Sequence, residues 1–65
     1  MHLHIPDMHC GGCVASITRI LAALDPAASV QADLEDRTAR ITTRASLQEV
    51  LVALADAGFP AMAVP

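Results

Sequence analysis

The run Met8-His9-Cys10-Gly11-Gly12-Cys13, followed by Val14-Ala15-Ser16-Ile17-Thr18-Arg19-Ile20-Leu21-Ala22-Ala23-Leu24, organises the chain. It holds both cysteines and two of the three glycines. At 100° per residue, Val14, Ile17, Ile20, Leu21 and Leu24 fall within about a third of a turn, while Ser16, Thr18, Arg19 and Ala23 lie outside it. That pattern predicts an amphipathic helix starting at Cys13 or Val14 and stopped by Asp25-Pro26. Cys13, four residues before Ile17, projects to the buried edge of this helix. Cys10 precedes the first turn and is the more exposed thiol. Two thiols spaced C-x-x-C at a helix start either bind a soft metal ion or cycle between dithiol and disulfide.

Upstream, His2-Leu3-His4-Ile5 alternates polar and apolar, the mark of a strand with one buried face. Leu3 and Ile5 point inward, and Pro6 ends the strand. Downstream, Val30, Ala32 and Leu34 alternate with Gln31, Asp33 and Glu35, and Ala39, Ile41 and Thr43 alternate with Arg40, Thr42 and Arg44. Joined by a tight turn at Asp36-Arg37, the two runs read as a hairpin in which opposed acidic and basic side chains face outward. Ser46-Leu47-Gln48-Glu49 fits a capping box. Leu47, Val50, Leu51, Leu54 and Ala57 then share one helical face, and Gly58 supplies the stop. Phe59 to Val64 reads as a closing strand, with Pro60 at an edge and Met62 in the core.

The expected order is strand, helix, strand, strand, helix, strand. Each helix has one apolar stripe, and both stripes are buried most simply by packing on the same side of one antiparallel sheet. The predicted fold is therefore α+β: a ferredoxin-like βαββαβ sandwich with a four-stranded antiparallel sheet and two helices on one face, as a single domain over residues 1–65. The other face is left to water, with His2, His4, Arg40 and Thr42 on it.

Composition narrows the function. The chain has 65 residues, a single aromatic (Phe59), four arginines, no lysine and seven carboxylates. A core of Ala, Val, Leu and Ile in so short a chain implies marginal stability. With neither a basic stripe nor aromatics for stacking, nucleic acid is not an expected partner. No apolar run approaches the ~20 residues of a membrane span. There is also no basic n-region followed by an apolar h-region, so the chain reads as cytoplasmic. The cysteines close too short a loop to act as a staple, which points to a chemical role.

A βαββαβ chain of this length with Met8-x-Cys10-x-x-Cys13 in its first loop and an Ala57-Gly58-Phe59 step after the second helix resembles the heavy-metal-associated domains. Within that family it looks most like the small bacterial copper chaperones. The resemblance implies that Cys10 and Cys13 are ligands of Cu(I) and that Met8 anchors the loop from within. It places Phe59 where bacterial chaperones often have Tyr, near the metal loop, and implies a copper-transporting P-type ATPase or a related metal-binding domain as acceptor. Three positions depart from the family pattern: Asp7 stands where Gly is usual, Ser29 where Gly commonly precedes Val30, and Arg19 is the only cation near the first helix.

The residues carry this chemistry in their own right. Thiolate is the ligand form, and a helix N-terminus lowers a thiol's pKa below its free value of ~8.5. Soft thiolates select Cu(I), which is satisfied by two ligands, whereas zinc prefers four. Against dithiol exchange, no Trp precedes Cys10 and the chain is shorter than a thioredoxin-like fold needs. Met8 is expected as core filler, a third soft ligand being the alternative. His9 is either an exposed loop histidine or an accessory nitrogen for Zn(II) or for a bridged dimer. His2 and His4 form a solvated face or, with the N-terminal amine, a secondary Cu(II) or Ni(II) site. The resulting expectation is a non-enzymatic cytoplasmic copper chaperone, monomeric without metal, with a metal-bridged dimer as a further form. The alternatives are a carrier or sensor for Hg(II), Zn(II) or Cd(II) and, from another class, a small thiol-disulfide oxidoreductase.

Overall fold

The computed structural model describes residues 1–65. Its elements are β1 (His2–His4), α1 (Gly11–Leu24), β2 (Ser29–Asp33), β3 (Thr38–Thr42), α2 (Leu47–Asp56) and β4 (Met62–Ala63). The strands form one antiparallel sheet in the order β2-β3-β1-β4. This is the expected ferredoxin-like arrangement. The alternation read from the sequence places Leu3 opposite Ala39 on one face and His2 opposite Arg40 on the other. Leu3, Ile5, Ala39 and Ile41 meet Ile17 and Leu21 of α1 and Val50 and Leu54 of α2 in a single buried cluster, which also contains Met8.

Both ends of α2 follow from local chemistry. The Ser46 hydroxyl accepts the Glu49 amide at 3.1 Å, and the Glu49 carboxylate accepts the Ser46 amide at 3.3 Å. This is the capping box, satisfying two otherwise orphaned donors. At the other end Gly58 adopts φ 90°. The Phe59 amide bonds the Leu54 carbonyl and the Gly58 amide bonds the Ala55 carbonyl, which together make a Schellman stop.

Several expectations change. Helix α1 starts at Gly11, two residues before Cys13, because the first helical turn requires no amide partners and the Cys10 carbonyl accepts from both Cys13 and Val14. The hairpin turn spans Leu34 to Arg37 rather than the Asp36-Arg37 pair alone. The Asp33 carboxylate accepts the Glu35 and Asp36 amides and so ends β2 early, leaving Leu34 exposed. Arg40 lies opposite Gln31 and Asp33 opposite Thr38, so directly opposed acid–base pairs do not form. Leu47 and Ala57, at the two ends of the α2 pattern, are exposed. Met62 is not core but 66% exposed. β4 is only two residues long, and its register sets Met62 opposite His4 on the open face of the sheet. Ala61, of opposite parity, packs on the core instead.

Candidate metal site

The first loop is built from a tight turn and a buried anchor. The Met8 amide bonds the Ile5 carbonyl at 3.0 Å, closing a turn with Pro6 and Asp7 at its centre. Asp7 does not have positive φ, so this turn has no conformational need for a glycine at that position. Met8 is fully buried in the main cluster and fixes the loop from beneath. Arg37 holds it from the side. Its carbonyl accepts the Ile5 amide at 2.8 Å, and its guanidinium donates to the Pro6 carbonyl at 3.1 Å. Arg37 does this from the left-handed region, at φ 57°. Sequence reasoning assigns it only to the hairpin turn; no signal in the chain marks an arginine at that φ or its reach across 31 positions.

Beyond Met8 the chain turns directly into α1, with Cys10 as its N-cap residue. Cys10 is exposed and Cys13 is half-buried against the core, as the helical phase predicts. The two sulfurs are 3.1 Å apart and share a hydrogen bond. That bond from Cys13 is the main reason the Cys10 thiol lies below its ordinary pKa; the Cys13 backbone amide lowers it further, and the Gly12 amide adds less than the opposing effect of burial takes away. Cys10 makes no side-chain capping bond. Its sulfur therefore meets the helix end as a field of partial charges. His9 is exposed on the same loop, and its ring nitrogen and the two sulfurs all lie within 4.8 Å of one another.

The remaining candidates lie as follows. Phe59 is half-buried and packs on the cluster that contains Met8 and receives Cys13. His2 and His4 are half-buried on the open sheet face. The N-terminal amine donates to the Ile41 carbonyl at 2.8 Å, extending the ladder, so it is already engaged in the fold. The structure thus brings together His9, Cys10 and Cys13, with Met8 beneath them.

A βαββαβ fold carrying such a loop is matched at the sequence level too, by the heavy-metal-associated domain over residues 2–60. The chain belongs to the heavy-metal-associated domain family. It is 34% identical over 61 residues to the mercuric transport protein periplasmic component of Shigella flexneri, an alignment covering 89% of this chain and 67% of that protein. Among solved structures, a gold binding protein superposes with a TM-score of 0.90 at 38% identity, over 94% of each chain. The copper chaperone Atx1 of Synechocystis superposes with a TM-score of 0.91 at 27% identity, over 95% of this chain and 98% of that one. No helix of this heavy-metal-associated domain is long and apolar enough to cross a membrane.

Proposed function

We propose that this domain carries Cu(I) between the thiolates of Cys10 and Cys13 and releases it by ligand exchange to a thiol-bearing acceptor, a copper-transporting P-type ATPase or a related metal-binding domain. The observation that carries the reading is the convergence of two free thiols, 3.1 Å apart, at the start of a helix, one exposed and one seated on the core. Each part has a use. The helix end and the shared hydrogen bond favour thiolate, the form that binds metal. Two soft donors suit an ion content with two ligands. The exposure of Cys10 gives an incoming thiolate a path to the ion, so that a three-coordinate intermediate forms before Cys10 lets go. The ion enters and leaves without a substrate being turned over. The cytoplasm suits this role, because its reducing poise keeps both cysteines as thiols. Met8 acts as the buried support of the loop, and Phe59 as part of the core beside it.

The likeness to a mercuric transport protein and to a gold binding protein favours a second reading with the same two ligands, carriage of Hg(II) or Au(I), both soft ions that accept two sulfurs. A competition titration of the reduced chain with Cu(I), Hg(II), Au(I) and Zn(II), read as affinity and as ions per chain, separates these readings. Cys10→Ser and Cys13→Ser are each expected to keep the fold and lose tight Cu(I) binding. Unchanged Cu(I) affinity in Cys10→Ser would show that the ion is held elsewhere.

A further inference from the structure

Two thiolates suffice for a linear ion, yet the loop presents three donors. His9 is exposed, belongs to no hydrophobic cluster, and places a ring nitrogen within 4.8 Å of both sulfurs. We propose that His9 is a third metal donor that this site uses for borderline ions, Zn(II) above all, and leaves unused for Cu(I). His9 is thus the residue that sets metal selectivity. The inference rests on the Cys10/Cys13 reading of the site and specifies which ions that site takes.

The distances support the division. With metal–sulfur bonds of about 2.3 Å, a linear ion holds its two sulfurs about 4.6 Å apart, while a tetrahedral one needs only about 3.8 Å. The sulfurs stand at 3.1 Å, so a tetrahedral ion asks them to part by much less than a linear one does. With a metal–nitrogen bond of about 2.0–2.1 Å, a tetrahedral ion brings nitrogen and sulfur to about 3.5 Å. From at most 4.8 Å, that closure needs a movement of just over 1 Å by an exposed loop side chain. Two thiolates and one imidazole then leave a fourth position for water or for a partner's ligand, the open arrangement that zinc adopts when three protein ligands hold it. In the linear geometry the ion sits on the line between the sulfurs with its valence filled, and the imidazole has no position to occupy. Thiolates take both Cu(I) and zinc, but only zinc, which prefers four ligands, has a place for the imidazole. Coordination number thus sorts the two ions without any change in the cysteines.

The test is a set of titrations on the reduced 65-residue chain, wild type and His9→Ala, with Zn(II), with Co(II) as a spectroscopic stand-in for zinc, and with Cu(I). His9 is exposed, so the variant is expected to fold; circular dichroism checks this. His9→Ala should lower Zn(II) and Co(II) affinity by at least about tenfold, the scale at which ligand-shell changes act, with Cu(I) affinity unchanged. The Co(II) visible bands should lose intensity and shift as an imidazole gives way to water. Undiminished Zn(II) affinity in His9→Ala, or unaltered Co(II) bands, would overturn the assignment of His9 as a donor. An equal loss for Zn(II) and Cu(I) would overturn its role in selectivity. Failure of the underlying reading is distinguishable, because it appears as retained Cu(I) binding in Cys10→Ser whatever His9 does.

Discussion

Replacing Met8 tests whether the loop is held by packing or by metal coordination. Met8 has no exposed surface and lies in a cluster of only nine buried residues. Truncation to Ala removes the atoms beneath the loop and leaves a cavity, at about 2–5 kcal/mol. A domain of 65 residues is stable by only about 3–10 kcal/mol, so this is a large share of the whole. Near the midpoint the unfolding entropy of such a chain is about 140 cal/mol/K, so each kcal/mol moves Tm by about 7 °C. Met8→Ala should therefore lower Tm by at least about 14 °C or leave the chain unfolded. Met8→Leu conserves volume and apolarity and should cost less than about 1.5 kcal/mol. With no Trp or Tyr in the chain, far-ultraviolet circular dichroism is the practical readout of unfolding, and a chromogenic Cu(I) chelator reads affinity. Met8→Leu is expected to keep Cu(I) affinity, since the thioether is not called on. A stable Met8→Leu protein whose Cu(I) affinity falls by orders of magnitude would refute the argument and make Met8 a ligand. A Met8→Ala protein with an unshifted Tm would refute the packing half.

Three further outcomes follow from the same structure. Gly11 is helical and an added Cβ would meet nothing within 4 Å, so Gly11→Ala should stabilise the metal-free protein by about 0.5–1 kcal/mol in urea titration; destabilisation would mean that the backbone there is not helical. Gly58 stands at φ 90°, where a side chain is strained, so Gly58→Ala should lower stability by about 1–2 kcal/mol, measured in the same way. The Asp25 carboxyl is held below the ordinary range by the Thr43 hydroxyl first and then by the Arg44 and Ala27 amides. A carboxyl depressed in the folded state stabilises above its unfolded pKa, near 3.9, and loses that contribution as pH falls through the folded value. Asp25→Asn should therefore lower the urea midpoint at pH 7 and flatten its decline below about pH 4; an unchanged acid limb would remove Asp25 from the account.

Most of the frame was legible because it rests on short-range signals. The capping box at Ser46 and the glycine stop at Gly58 are written in adjacent residues, and the alternation around Leu3 and Ile41 needs only a period of two. The misread positions depend on partners far along the chain or on a register that no single segment specifies. Met62 faces outward because a two-residue strand pairs with β1 at one parity and not the other, a choice decided by the sheet. Leu34 is exposed because the Asp33 side chain captured two amides and curled the chain before the strand could reach it. The Arg37 clamp joins positions 31 apart and has no periodicity to reveal it.

The metal loop shows the same division. The roles of the cysteines as exposed and inner thiol followed from helical phase, since Cys13 lies one turn before Ile17 and Cys10 lies before the helix. The proximity of His9 to both sulfurs did not follow, because a loop residue has no phase. Its position is set jointly by the Pro6-Asp7 turn, the buried Met8 and the helix start at Gly11, each contributed by a different part of the fold. Gly11 and Gly12 open the same helix. Both are helical at negative φ, and neither lies where a side chain would collide with its surroundings. Neither local conformation nor space therefore demands glycine at these positions. What two glycines do in a first helical turn is weaken it, by at most about 0.5–1 kcal/mol each relative to Ala. A site whose sulfurs begin 3.1 Å apart and must separate to admit any ion benefits from a first turn that gives way easily. The glycines are best understood through the opening of the loop rather than its resting shape.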